Sequence, residues 1–170
     1  MPLKWIRNIH ALWIVVYCAI ISAAFLMQII ENEEPCPLCY LQRLGMLLIC
    51  IAATMNLLFG IRVFHYGLMI LAALFGGAVA IRQILLHICP TFSTFGIPFL
   101  GLSLYTWSFL TFVCSLFATS VLLLFHPLEE QAPLPLNKFQ VVALVWLALV
   151  IVGNIFSVGV DCQLGLCPET

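Results

Sequence analysis

Apolar residues in this chain gather into five long runs, roughly Ala11–Ile30, Tyr40–Phe59, Phe64–Ile88, Phe99–Phe125 and Phe139–Val160. Each is long enough to cross about 30 Å of hydrocarbon as a helix, the one open-ended element that satisfies its own backbone polar groups in lipid. The polar connections between them are short: Glu31–Cys39, Gly60–Arg62, Cys89–Pro98 and His126–Lys138. The pattern predicts an all-α bundle of transmembrane helices, with no internal repeat and no soluble domain. The first run is a poor signal peptide, because it exceeds the usual apolar region and its small-residue site, Ser22-Ala23-Ala24, lies inside it.

Composition strengthens this reading. The 170 residues are 64% hydrophobic and 8% charged, against about 25% charged in soluble domains. A net charge of −1, with no basic patch, argues against nucleic acid as a partner. Basic residues near the spans set the orientation. With the N-terminus in the cytoplasm, Lys4, Arg7, Arg62 and Lys138 lie inside, and Arg43 and Arg82 lie at the outer surface.

That topology sorts the eight cysteines. Cys18, Cys50 and Cys114 fall within spans and read as small buried hydrophobes. Cys36, Cys39, Cys89, Cys162 and Cys167 all fall at the outer side, which in a bacterium is the periplasm, where disulfides persist.

The segment "ENEEPCPLCYLQRLG" carries the sharpest signal. Pro35 and Pro37 suit the opening of a helix. Cys39 would lie in the first turn of the second span, where free N–H groups and the helix dipole favour a thiolate and make it a better leaving group. Arg43, four residues on, is expected on the same face one turn deeper. Haem attachment requires a histidine after the second cysteine, and Tyr40 stands there. A structural zinc site would need Cys36, Cys39, Cys162 and Cys167 together, and a structural disulfide is also open. A redox-active pair fits best.

The third span ends "AIRQILLHICP". Gln83 and His87 share a helix face, and Arg82 and His87 approach the outer surface. Phe92, Phe95, Phe99, Tyr105 and Trp107 form an interfacial belt or the lining of a flat pocket. With no dinucleotide loop and no haem motif, the plausible electron acceptor is membrane-soluble, and a quinone is the obvious one.

In "PCPLCYLQR", "RQILLH" and "FLGLSLYTW" the chain resembles the DsbB family, bacterial inner-membrane enzymes that reoxidise the thioredoxin-fold oxidase DsbA. The resemblance covers roughly Trp13 to Leu124. It implies a four-helix core over residues 1–125; beyond the family's usual four spans, the apolar runs add a cytoplasmic loop over 126–138 and a fifth helix with a periplasmic tail over 139–170. It implies that Cys36 and Cys39 exchange electrons with ubiquinone (or menaquinone), that Arg43 helps to hold the quinone, and that His87 lies near it. Arg82 and Gln83 are further candidates for the quinone site, and no metal is expected. The family usually carries a second cysteine pair between spans three and four. That connection is short here and holds only Cys89, whereas the tail "VDCQLGLCPET" brings Cys162 and Cys167 to the same side. The expected relay therefore runs from a DsbA-like partner to Cys162–Cys167, then to Cys36–Cys39, then to quinone. Two alternatives stand beside it: a quinone-linked thiol enzyme of the vitamin K epoxide reductase type, and a non-enzymatic membrane scaffold binding metal through four cysteines.

Overall fold

A computed structural model of the chain describes residues 3–31, 36–88, 100–125 and 134–161. Among these residues there are five helices and no strand: α1 (Leu3–Glu31), α2 (Pro37–Leu58), α3 (Val63–Ile88), α4 (Leu104–Leu124) and α5 (Lys138–Asp161). All five are long and apolar enough to cross a membrane, so the chain is a multi-pass helical membrane protein.

Two boundaries differ from the sequence expectation by more than a turn. α1 begins at Leu3 rather than near Ala11. Its first turns are polar, but they dock against the segment leading into α5: Arg7 donates to the Leu134 carbonyl at 2.8 Å and to Gln140 Oε1 at 3.3 Å. α4 begins at Leu104 rather than Phe99, because Leu100 (φ 52°) and Gly101 (φ 77°) take left-handed backbone conformations that break a helix just ahead of Ser103, its N-cap.

The helices pack in sequence, α1 on α2, α2 on α3 and α3 on α4, while α5 lies against α1 and reaches α2. Long apolar side chains such as Leu48, Leu71, Phe117, Leu149 and Phe156 face outward. In lipid they lose nothing there, since hydrocarbon is as apolar as a protein core. The interior is correspondingly rich in small and polar residues, which let backbones approach and supply hydrogen bonds. Gly45 of α2 and Gly76 of α3 mark the closest approach: a Cβ on Gly45 would stand 2.9 Å from the Gly76 Cα. The Phe112 ring of α4 fills the remaining space, and a Cβ on Gly76 would collide with it. α1 and α4 are joined by hydroxyls, with Trp13 Nε1–H donating to Ser115 Oγ at 2.9 Å and Tyr17 Oη bonded to the same oxygen at 2.7 Å.

The end of the bundle where α2 finishes and α3 begins holds a closed polar network. His10 donates from Nδ1 to the Ile6 carbonyl at 2.8 Å and accepts at Nε2 from Asn56 Nδ2 at 3.0 Å. Asn56 Oδ1 accepts from His65 Nδ1 at 3.0 Å and from the Arg62 backbone N–H at 3.3 Å. One asparagine thus ties α1, α2 and α3 together.

Candidate functional site

The opposite end of the bundle carries the Cys-Pro-Leu-Cys segment. Pro37 is the first residue of α2 and Cys36 is its N-cap, in extended conformation (φ −65°, ψ 154°). Proline suits that first position, because its missing N–H would have no partner there. The Cys39 backbone N–H reaches back to the Cys36 carbonyl at 2.9 Å and to Cys36 Sγ at 3.3 Å. Sulfur therefore takes the capping role usually filled by a serine or aspartate oxygen. The turn brings Cys36 Sγ and Cys39 Sγ within 2.7 Å. The Cys36 thiol is held well above the ordinary thiol range, first because it donates to the Cys39 sulfur and then because it is buried.

Gln83 of α3 reaches the same sulfurs. Its Nε2 lies 3.4 Å from Cys36 Sγ and 3.6 Å from Cys39 Sγ. Its Oε1 accepts an N–H from Gln42, three residues after Cys39 on α2. His87, one turn beyond Gln83, donates from Nδ1 to the Gln83 carbonyl at 2.8 Å. Its ring stacks on Tyr105 of α4, centroids 4.9 Å apart.

Arg43 is buried, at 7% exposure, and points to the other side of α2. Its guanidinium carbon lies 4.8 Å from the Phe25 ring centroid and 5.5 Å from that of Tyr40. Nη1 donates to Gln28 Oε1 at 3.3 Å. Gln28 Nε2 in turn donates to Ser157 Oγ of α5 at 3.4 Å, and Ser157 bonds to Tyr40 Oη at 3.2 Å. Aromatic faces and an uncharged amide make a buried cation tolerable.

The sequence candidates thus divide. Cys36, Cys39 and Gln83 are in contact, and His87 is tied to Gln83 through the backbone. Arg43 is near the pair but faces α1 and α5. Arg82 is exposed on α3. Cys89, Cys162 and Cys167 lie outside the described residues. Cys18 and Cys50 are buried as expected, whereas Cys114 is exposed on the outer side of α4, where lipid suits a small apolar thiol equally well. Among the described residues no three His, Cys, Asp or Glu side chains converge as a metal-ligand set. Sequence reasoning passed over Gln42, Gln28 and Ser157. Each is a polar residue inside an apolar span, and that alone marks it for an interior partner.

A bundle of membrane-spanning helices with a dithiol capping one of them defines a class: helical membrane proteins with a thiol pair at the membrane surface. The chain belongs to the DsbB family: the family model described as "Disulfide bond formation protein DsbB" matches residues 6–94. That match takes in α2, α3 and nearly all of α1, and stops short of α4. Similar proteins include Disulfide bond formation protein B of Marinobacter nauticus, 38% identical over 88 residues (49% of this chain, 52% of that protein). The protein of the same name from an Azoarcus species is 38% identical over 92 residues (49% and 55%). That of Chromobacterium violaceum is 41% identical over 75 residues (41% and 45%). The matched region spans about half the length of these relatives. No solved structure matches the chain.

Proposed function

We propose that this protein is a thiol:quinone oxidoreductase of the bacterial inner membrane. It reoxidises a DsbA-like periplasmic thiol oxidase and passes the electrons to ubiquinone or menaquinone, with its N-terminus in the cytoplasm and its C-terminus in the periplasm. The observation that carries this reading is the pair of touching sulfurs at the start of α2, with a buried arginine one turn deeper in the same membrane helix.

Each cycle begins when a thiolate of the reduced partner attacks a Cys162–Cys167 disulfide. One S–S bond forms, one breaks, and the negative charge moves to the leaving sulfur. The partner's second thiol then attacks this mixed disulfide, so that the partner leaves oxidised and the tail is left as a dithiol, which reduces the Cys36–Cys39 disulfide by the same two exchanges. Closing Cys36–Cys39 again releases two electrons and two protons. Bound quinone would supply the two-electron, two-proton acceptor that a partner as oxidising as DsbA, at about −120 mV, requires.

The residues present fit a quinone. Arg43 offers guanidinium N–H donors suited to a carbonyl oxygen, beside the flat faces of Phe25 and Tyr40. His87, its Nδ1–H held by the Gln83 carbonyl, stacks on the Tyr105 ring of α4. Arg43, His87, Arg82 and Gln83 remain the candidates for holding the ring. Arg43 is the strongest for its burial and Arg82 the weakest for its exposure. The Cys36 thiol is held above the ordinary range, and Cys39, in the first turn of α2 where the helix N-terminus favours an anion, is the sulfur assigned the charge in this reading.

The test is turnover by purified protein. Dithiothreitol should reduce a short-chain ubiquinone through Cys36–Cys39, and a DsbA-like oxidase should do so only when residues 161–170 are present. Absence of dithiol-driven quinone reduction would overturn the reading. Full oxidase turnover by the truncated chain would remove Cys162–Cys167 from the relay and turn attention to Cys89.

A further inference from the structure

Gln83 is a polar side chain in the penultimate turn of the membrane helix α3, only 1% exposed. In hydrocarbon such a group must use its hydrogen-bonding capacity inside the protein. Gln83 uses both ends of its amide. The oxygen accepts from Gln42, and the nitrogen faces two sulfur atoms. Neutral thiols are weak acceptors and thiolates strong ones, so the contact gains strength only when charge appears on sulfur.

We infer that Gln83 is a catalytic hydrogen-bond donor to the Cys36–Cys39 pair, and that Gln42 is the positioning residue that turns its amide nitrogen toward the sulfurs. The inference rests on reading Cys36–Cys39 as redox-active, and not on which acceptor the pair reduces.

The chemistry follows from where charge moves. When a thiolate attacks the Cys36–Cys39 disulfide, the S–S bond breaks and one of the two sulfurs leaves as a thiolate. No proton is gained or lost in that step. The Gln83 amide has two N–H donors, and Nε2 stands at nearly equal distances from both sulfurs. It can therefore meet the charge on whichever sulfur leaves. A carbonyl in the same position would repel that charge. The Gln42 N–H holds the Gln83 oxygen on the far side and so disfavours the flipped amide. A fixed dipole aimed at developing charge in a water-poor site needs no reorganisation when the charge arrives. A neutral amide is also far cheaper to keep in hydrocarbon between turnovers than a second cation beside Arg43 would be.

Stabilising the thiolate stabilises the reduced form and makes the pair more oxidising. The test uses the full-length protein in detergent, without quinone. It is equilibrated in glutathione redox buffers and quenched with acid, and the Cys36–Cys39 peptide is then quantified by mass spectrometry. Gln83→Met keeps length and apolarity but has no donor. It should shift the thiol–disulfide equilibrium about tenfold against the reduced form, which is about 30 mV for two electrons. Its pH–rate profile for alkylation of the pair should move to higher pH. Gln83→Glu, presenting oxygen in place of N–H, should shift both at least as far. Gln42→Leu should shift both in the same direction by less, and Gln83→His, which retains a donor, should recover part of the loss. A purely packing role would leave the pH–rate profile where it is. Gln83→Met and Gln83→Glu profiles and potentials that coincide with those of the unmodified protein would overturn the inference while leaving the redox reading intact. Failure of the unmodified pair to form a disulfide in any buffer would overturn the redox reading, and this inference with it.

Discussion

The two ends of this bundle both bury polar side chains, and they use them differently. At the Asn56 end, His10, His65 and the Arg62 backbone all converge on one asparagine, through pairs of donors and acceptors with ordinary nitrogen and oxygen geometry. At the Cys36 end the acceptors are sulfurs, which hold a neutral donor weakly and a charge strongly. The first arrangement is satisfied in one state and tends to stay there. On the proposed redox reading the second is poised between states, because its bonds change strength when the sulfurs change charge. Buried polarity in a membrane protein is therefore no mark of function by itself. What matters is whether the group has one stable partner or a partner whose chemistry varies.

The comparison can be broken by experiment. The largest effect is expected from Cys39→Ser, which should abolish dithiol-driven quinone reduction, whereas Asn56→Leu should leave it intact. Loss of turnover in Asn56→Leu at unchanged fold would erase the distinction between the two ends. Arg43→Ala comes next: the apparent KM for quinone should rise about tenfold, about 1.4 kcal/mol, with exchange between the protein and its thiol partner little changed. Unaltered quinone kinetics would reduce Arg43 to a structural cation. Asn56→Leu should instead lower stability by about 1–2 kcal/mol, the upper range for hydrogen bonds inside membrane bundles, as read from denaturation in mixed micelles. The two cysteines should also separate in timed alkylation. Because the Cys36 thiol is held above the ordinary range, its thiolate fraction at neutral pH is small. Cys36 should therefore label more slowly than Cys39 and catch up only as the pH becomes alkaline; equal rates at neutral pH would count against the assignment of charge to Cys39. The smallest effect is expected from Ser157→Ala, about 0.6 kcal/mol, seen as a two- to threefold rise in the same KM if α5 helps to steady Arg43 through Gln28 and Tyr40.

The spans were legible because lipid imposes length and apolarity on every helix, so the five runs could be read with little knowledge of packing. The start of α1 was not, since Arg7 and His10 look like solvated flanks until the Leu134 carbonyl, Ile6 and Asn56 are seen to receive them. The dithiol was legible from its spacing and its prolines. The neighbours of Cys39 were less so. Residues three and four positions on both share its helix face, and the sequence favours the charged one, Arg43. The fold sends Arg43 toward Phe25 and Gln28 and brings Gln42 to Gln83 instead. Which of two adjacent side chains serves a site is decided by what the neighbouring helices offer, and that information is spread over α1, α3 and α5.

The Phe112 ring wedged over Gly45 and Gly76 has a consequence at the mouth of the bundle. The sulfurs ride on α2 and the amide that faces them rides on α3, so the gap between them is inherited from the gap between two helices. That gap is gauged where the two glycines meet under the ring, about two turns below Gln83. A single methyl group added at Gly45 would press on the Gly76 Cα and act as a shim, levering α3 from α2 and loosening the contacts above it. On the redox reading proposed above, the electron affinity of the thiol pair is then calibrated from inside the lipid, by two residues that have no side chain at all.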